Sequence, residues 1–466
     1  MGTTAAVKSQ RQQLRLAVVS GYLGTTIEYY DFLLYATASA LVFDKVFFSD
    51  LSPALATIAS LGTLAAGYIA RPLGGVIFGH FGDRVSRKRM LVLSMTIMGV
   101  ASTLIGLLPT YASIGAWAPV LLVFMRVIQG IAVGGEWGGA VLMAAEHATS
   151  RRGLWASFGN AGAPSGMVLS TAILTLCSGA MSNAAFISWG WRIPFLFSAV
   201  LLVIGLVVRL RLDEPPAFTG AVKSAPSRLP LLDVLRHHPK NLVLSIGMGV
   251  GYFVSQATLT TFVIAYAVNH GFERQTVLNA LTTSSVVAVI ATLIAGGLSD
   301  RFGRRALVAA GAGSLAIWSF VLFPLIDSGS TALLVLAVVV GQGILLSCWF
   351  GPLAALYAEL FPTRYRYTGA SLGFQISAIG GGLAPGVFAS VVSFSGGPLM
   401  VSIIMAVLCL ISIGCVLALR ETSRLSLDDL HTPATDTASA SDPLPTPPGP
   451  AGDAQAEAIL RREVQQ

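Results

Sequence analysis

The sequence predicts an all-α membrane protein: twelve transmembrane helices in two six-helix halves related by pseudo-two-fold symmetry. Three observations predict it. Hydrophobic residues make up 54% of the 466 and charged residues only 11%, with mean hydropathy +0.74, whereas soluble domains carry about 25% charged residues. The apolar residues come in runs long enough for a bilayer core of about 30 Å, which takes roughly 20 residues of helix. Finally, one short cationic loop occurs twice: GHFGDRVSRKR at Gly79–Arg89 and GGLSDRFGRR at Gly296–Arg305, with Asp83-Arg84 aligned on Asp300-Arg301 and Arg87-Lys88 on Arg304-Arg305.

Taken in order, the runs are Leu16–Phe43, Leu55–Phe78, Met90–Leu108, Pro119–Ala145, Gly153–Ser178, Trp191–Leu210, Leu242–Val268, Val277–Leu298, Ala306–Ile326, Leu333–Ala358, Thr368–Val391 and Leu399–Leu419. Lys8, Arg11 and Arg15 precede the first run in the manner of a secretory signal, but that run is too long for an h-region of about 7–15 residues and contains Glu28 and Asp31. It is read as a retained first helix. The predicted layout is a cytoplasmic N-terminus (1–15), a first bundle (16–210), a proline- and charge-rich cytoplasmic linker (211–240), a second bundle (241–420) and a tail (421–466). The tail's Pro, Ala, Thr and Asp cannot bury enough surface to fold, apart from a marginal helix over Glu457–Val464.

The net charge of +7 and pI near 9.4 do not indicate nucleic acid, because Lys and Arg fall in short clusters beside apolar runs and on no amphipathic face. They mark sidedness. Both repeated loops, Arg151-Arg152, the linker, Arg364/Arg366 and Arg420/Arg424 fall on one side, and cationic short loops stay in the cytoplasm. Both termini are therefore expected inside, in a multi-pass bacterial inner membrane protein. Cys177, Cys348, Cys409 and Cys415 all lie within apolar runs without metal-ligand spacing, so they are read as small buried hydrophobes. The sequence offers no phosphate-binding loop, metal cluster or nucleophile triad, which argues against an enzyme and against any cofactor beyond a proton gradient. Glu146 stands five residues before Arg151, and Glu359 five before Arg364, at the ends of the fourth and tenth runs. This second repeat supports a duplicated unit, and parallel repeats about an axis along the membrane normal are a transporter architecture.

The loop pair resembles the Gly-x-x-x-Asp-Arg-x-Gly-Arg-Arg/Lys mark of the major facilitator superfamily. More narrowly the chain resembles its metabolite:proton symporters, the family of shikimate, alpha-ketoglutarate and proline/betaine transporters, nearest the shikimate branch. The matching words are IEYYDFLLY (Ile27–Tyr35), ARPLGGVIFGHFGDR (Ala70–Arg84), RVIQGIAVGGEWGGA (Arg126–Ala140), WGWRIPF (Trp189–Phe195) and AELFPTRYRYTG (Ala358–Gly369). One letter departs: Ser86 stands where the family has Gly, while Gly303 keeps it. If that position needs φ > 0, Ser86 weakens the loop. The resemblance implies a small-molecule substrate, protons and the bilayer as partners, a monomer, and gating by Asp83, Arg84, Arg87, Glu146, Arg151, Asp300, Arg301, Arg304, Glu359 and Arg364. Physically, an Asp at a helix end accepts backbone N–H bonds or meets an arginine of the other bundle in one conformation and releases it in another.

Intramembrane charge is costly and marks function, and here it is lopsided: Glu28, Asp31, Arg71, Arg126 and Glu136 all lie in the first half. Glu28 and Asp31, three apart, share a helix face, and two close carboxyls cannot easily both ionise. Family likeness makes Asp31 the expected proton carrier with Glu28 beside it; the competing reading is a static ion pair with Arg71 or Arg126. Family likeness associates Arg126 with proton transfer or substrate charge, and its guanidinium offers five fixed donors to a carboxylate of substrate or of Asp31. Arg71, before Pro72, binds an anion or fixes a kink. Glu136, among glycines, is a second coupling carboxylate or the structural partner of Arg71. Substrate candidates are Arg126, Arg71, Tyr29, Tyr35, Trp137, Asn160, Tyr252, Gln256, Gln342, Trp349 and Gln375, each with interhelical bonding as the alternative. The function expected is proton-coupled import of a small organic acid; a proline- or betaine-like zwitterion symporter, a drug/proton antiporter and a non-transporting sensor are the alternatives.

Overall fold

The computed structural model describes residues 2–148, 150–211 and 230–423. The tail beyond Ser423, with the helix expected at 457–464, and most of the 211–240 linker lie outside the described residues. Twelve long rods run through the rest: α1 (Gly2–Ala38), α2 (Pro53–Arg84), α3 (Arg87–Leu107), α4 (Trp117–His147), α5 (Arg152–Gly179), α6 (Arg192–Leu210), α7 (Pro239–Ala257, prolonged by Val263–Asn269), α8 (Arg274–Phe302), α9 (Arg304–Asp327), α10 (Thr331–Val338, prolonged by Leu346–Glu359), α11 (Arg366–Ser395) and α12 (Leu399–Ala418). Among the described residues nine are long and apolar enough to cross a membrane by length and composition. The other three, α1, α2 and α5, are diluted by charge and by Gly, Ser and Thr. Their polarity is a first sign that they face the molecular interior.

Each rod starts and stops for a local reason. Pro53 and Pro239 occupy first-turn positions, where the missing N–H is no loss. π-helical turns interrupt the pitch after α1 (Ser39–Phe43) and inside α7 (Thr258–Phe262) and α10 (Val339–Leu345), and such turns occur often at functional positions. Outward faces carry bare aliphatics such as Val243, Ile317 and Leu410; inward faces carry small residues. A Cβ at Gly130 would run into the Gly67 carbonyl and one at Gly134 into that of Arg71, so α2 and α4 pack backbone to backbone. Gly162 and Gly166 of α5 lie likewise on the α1 backbone at Tyr22 and Thr26. The two halves meet the same way: a Cβ on Gly79 would stand 2.7 Å from Thr368 Cα, and one on Gly153 2.6 Å from the Gly296 carbonyl. At the centre the Trp137 ring of α4 lies flat on Phe374 of α11, centroids 3.4 Å apart, and edge-on to Tyr357 of α10.

The repeated loops differ as the sequence shows. Gly303 has φ +97°, but Ser86 sits at φ −173°, extended backbone that any residue adopts. The concern that Ser86 strains the loop is thereby corrected. Its hydroxyl instead accepts from the Arg89 N–H at 2.9 Å and caps α3. In the other half the α9 N-terminus is capped by Glu421, just after α12, which accepts from the N–H groups of Arg304 (3.0 Å) and Arg305 (3.1 Å). Burial raises the Glu421 pKa, but these backbone donors outweigh it and hold the carboxyl below its usual range.

Because Ser86 is a cap and not a strained residue, Ser86→Ala is expected to cost about 1 kcal/mol and Ser86→Gly only a few tenths, read from thermal unfolding in detergent. A Ser86→Gly protein more stable than wild type would mean that the position favours positive φ after all.

Candidate functional site

At the end that carries the repeated cationic loops, the two halves are tied by two matching charge clusters. Asp83, at the end of α2, accepts from the backbone N–H groups of Tyr367 (3.1 Å) and Thr368 (2.9 Å) at the start of α11. Asp300, at the end of α8, accepts from Gly153 (2.9 Å) and Leu154 (3.0 Å) at the start of α5. Each carboxylate thus caps a helix of the opposite half, where the helix dipole and free N–H groups favour an anion. Beside the first, Glu146 is ion-paired to Arg87 and, at 2.8 Å, to Arg366. Beside the second, Glu359 meets Arg152 at 2.9 Å and Arg304 at 3.5 Å. The pseudo-two-fold relates Asp83 to Asp300, Arg87 to Arg304, Glu146 to Glu359 and Arg366 to Arg152.

Two of the arginines expected to pair with these acids, Arg151 and Arg364, are replaced by near neighbours in the chain. Arg151 lies exposed at the N-cap of α5 with φ +49°, and Arg152, the first helical residue, reaches Glu359. Arg364 is exposed, and Arg366, first in α11, reaches Glu146. Arg84 and Arg301 are exposed as well, the former against His80 (3.1 Å) and the latter over the Phe302 ring. In both places the arginine that is the helix's first residue enters the interface and the arginine one or two residues earlier does not; nothing in the sequence announces which is which.

Above the clusters, buried charge rises through the first half in steps. Glu136 of α4, expected beside Arg71, is held instead by a bidentate pair with Arg209 in the last turn of α6, and accepts from the Ser94 hydroxyl at 3.0 Å. Both are about 1% exposed or less. This corrects the Glu136–Arg71 pairing. Arg209 lies near the end of the sixth run and is absent from the buried charges expected from the sequence; Gly24 of α1, where a Cβ would strike both partners, makes room for it inside.

One turn further along α1 stands Glu28, 3% exposed, with Arg71 and Arg209 as its charged neighbours and Oε2 without a hydrogen-bond partner among the described residues. Another turn on, Asp31 accepts from the Ser198 hydroxyl at 2.5 Å, while its Oδ2 is unpartnered. Glu28 and Asp31 do lie on one side of α1, yet neither forms an ion pair within 4.0 Å among the described residues. The static pair with Arg71 or Arg126 is therefore not the arrangement seen.

The two arginines stack on rings. The Phe32 ring has Arg71 at 4.8 Å and Arg126 at 4.8 Å, and Tyr68 (4.5 Å from Arg71) and Tyr35 (4.2 Å from Arg126) complete the group. Arg126 is 3% exposed; its Nη1 donates to Gln129 at 3.3 Å, and Nε and Nη2 have no partner among the described residues. A buried guanidinium resting on π faces, with donors unspent, has the chemistry to receive an oxyanion.

Between the halves lies a cavity of about 40 Å³ lined by Tyr29, Met167, Tyr252, Gln256, Thr260, Thr292, Gln342, Ser347 and Phe350, among others, with no charged residue in its wall. Four substrate candidates line it: Tyr29, Tyr252, Gln256 and Gln342. The others serve elsewhere. Asn160 accepts from Trp137 Nε1 (3.0 Å) and donates to the Phe350 carbonyl (2.6 Å), joining the halves. Gln375 donates to the Val133 and Gly134 carbonyls, Trp349 packs edge-on to Tyr252, and Tyr35 donates to Thr63 at 2.7 Å. Phe32, between the two arginines, has no charge or polar group to mark it in the sequence, although it stands within the IEYYDFLLY word.

Comparison with known proteins fits this geometry. A family model described as the Major Facilitator Superfamily matches residues 22–385 and 280–449. An inner membrane metabolite transport protein of Escherichia coli (strain K12) is 41% identical over 383 residues, 79% of this chain and 86% of the relative. The shikimate transporter of the same organism is 37% identical over 420 residues, 88% and 95% respectively; a proline/betaine transporter of Salmonella typhimurium is 32% identical, covering 93% and 88%. Among solved structures, the proton:xylose symporter XylE bound to 6-bromo-6-deoxy-D-glucose superposes with TM-score 0.71 over 90% of this chain and 99% of its own, at 18% identity, a likeness of fold. Twelve rods in two related halves, the repeated Asp-Arg loops and these relatives together place the chain in the major facilitator superfamily, among its bacterial metabolite, shikimate and proline/betaine transporters.

Proposed function

We propose that the protein is a proton-coupled symporter that imports a small organic anion by alternating access. The observation that carries this reading is the unspent Arg126, with Arg71 on the same Phe32 ring and two unpaired carboxyls, Glu28 and Asp31, next to them. In this reading a substrate carboxylate takes the free Arg126 donors, its uncharged body fills the cavity of hydroxyl, amide and aromatic groups, and Asp31 carries the proton. The cation-rich end is cytoplasmic by the positive-inside rule, so both termini lie inside and the Asp83 and Asp300 caps are the closed inner gate. The membrane is the bacterial inner membrane and the working unit a monomer; no cofactor beyond the proton gradient is needed.

A second reading is favoured by one observation: Tyr29, Tyr252 and Phe350 give the cavity wall π faces suited to a quaternary ammonium, so a betaine-like zwitterion fits the same site with its carboxylate on Arg126. Uptake into proteoliposomes under an imposed inward proton gradient tests both. Shikimate-like acids are expected to accumulate, and accumulation of betaine alone would select the second reading. No gradient-stimulated uptake of any organic acid or zwitterion would sink symport, and binding without flux would make the protein a sensor.

Three outcomes follow from the roles assigned. Asp31→Asn is expected to abolish accumulation against a gradient and spare counterflow exchange; a variant that still concentrates substrate removes Asp31 as the carrier. Arg126→Ala loses a charge-assisted pair worth about 1.5–3 kcal/mol, so substrate affinity is expected to fall roughly 10- to 100-fold, measured as the KM for anion uptake. Asp83→Asn is expected to shift the protein toward the inward-open state more than Asp300→Asn, because the Asp83 carboxyl is fully buried whereas that of Asp300 is 17% exposed. Spin-label distances across the cation-rich end report that shift, and no change in either variant would remove the caps from the gate.

A further inference from the structure

Tyr367, the second residue of α11, is bound to the first half at both ends. Its backbone N–H is held by Asp83 at 3.1 Å, and its hydroxyl donates to the Gly135 carbonyl, the residue before Glu136. Its ring, fully buried, occupies a notch where three glycines of the first half replace side chains: a Cβ on Gly82 would strike the ring, one on Gly138 would lie 3.3 Å from it, and one on Gly139 2.6 Å from its hydroxyl. So large a side chain of one half seated in a glycine notch of the other is a built contact, because a side chain at Gly82 would evict it.

Behind the notch stands the Glu136–Arg209 pair. Arg209 reaches further, to the Leu91 carbonyl, and belongs electrostatically to Glu28 as well as to Glu136. Its Nε has no partner, and neither has Glu28 Oε2 among the described residues. The charged and titratable groups facing the pair are Glu28 from α1, Arg71 from α2 beyond Glu28, and Tyr367 from α11, with Asp83 and Arg87 on the far side of Tyr367. The pair thus separates the unpartnered Glu28 from the cation-rich end, and Tyr367 separates the pair from that end.

We propose that Arg209 and Tyr367 form an inner proton gate: Arg209 a positioning residue that serves Glu136 or Glu28 in turn, and Tyr367 a plug that withdraws with α11 when the Asp83 cap breaks. With the plug seated, Glu136 is ion-paired and Glu28 holds the proton that it has taken from the Asp31 carboxyl, leaving Asp31 as the carboxylate. When the halves part, the Glu28 carboxyl gives its proton to the Glu136 carboxylate, Arg209 turns from Glu136 to the new Glu28 carboxylate, and Glu136 releases the proton to entering water. One proton moves and the guanidinium keeps its charge throughout. The inference rests on the proton coupling proposed above.

The test is substrate-free proton entry into proteoliposomes holding a pH dye, driven by a valinomycin–potassium potential. The wild type is expected to match empty vesicles. Tyr367→Ala, folded by its thermal transition and gel-filtration profile, is expected to leak at least about tenfold faster, whereas Tyr367→Phe, which keeps the ring, stays near wild type. Adding Glu136→Gln and Arg209→Met together, which removes both charges and leaves neither partner orphaned, is expected to abolish the leak. A folded Tyr367→Ala protein that stays tight overturns the plug, and a leak that survives the double change overturns the pair as its route. Should proton coupling itself be wrong, gradient-driven uptake fails in the wild type, a result independent of either outcome.

Discussion

Charge that cannot reach water is costly in a bilayer, and this chain meets that cost by two different arrangements. At the cation-rich end every buried acid has a basic partner or a helix N-terminus: Asp83 and Asp300 on backbone N–H groups, Glu146 and Glu359 between arginines. Higher in the first half the compensation is incomplete, with Glu28, Asp31 and Arg126 each keeping a polar atom without a partner among the described residues. Acids held by arginines and helix N-termini hold a conformation. Charged groups without such a partner leave a place for something else to bind, which is why the proposed transport chemistry is assigned to the second set and locking to the first.

The first set also ties the two halves together at the cation-rich end. Each Asp sits on a helix of the other half, so the bonds that close the cation-rich end exist only while the halves are together. Interfaces built on glycine and backbone, as at Gly79–Thr368 and Gly153–Gly296, allow two rigid bodies to separate without unpicking a knobby side-chain surface. The two locks are unequal in their surroundings. Ser86 caps α3 locally, while Glu421 caps α9 from beyond α12, and the neighbouring Thr422 hydroxyl donates to Glu359 at 2.5 Å. The chain's last described residues are thereby part of the second lock.

The first half's ladder of charge follows one face of α1, with Gly24, Glu28 and Asp31 at successive turns, and is served by α2, α3, α4 and α6. The second half supplies uncharged groups to the cavity wall: Tyr252, Gln256, Thr260, Gln342 and Phe350. Two of these, Thr260 and Gln342, lie in π-helical turns, where the altered pitch presents side chains that a regular helix would turn elsewhere. Proton and carboxylate chemistry on one side and shape on the other is a division that alternating access can exploit, since each conformation exposes the same charged wall to a different solution.

The sequence by itself determined the class, the number of rods, their duplication and the residue types that matter, because hydropathy, the spacing of Asp and Arg and the family words are properties of short stretches. It also placed Glu28 and Asp31 on one side of α1, since three residues of helix leave little choice. Partnership was another matter. Whether Arg151 or Arg152, or Arg364 or Arg366, enters the interface depends on where a helix begins within one or two residues. Whether Glu136 meets Arg71 or Arg209 depends on how α6 packs on α1 at Gly24. Phe32 and Tyr367 drew no notice as aromatics in an apolar chain; only their places, between two guanidinium groups and in a glycine notch, distinguish them. Local pattern decides which residues are buried and charged, but pairing is a property of distances between helices far apart in the chain, and those are decided only when the bundle packs.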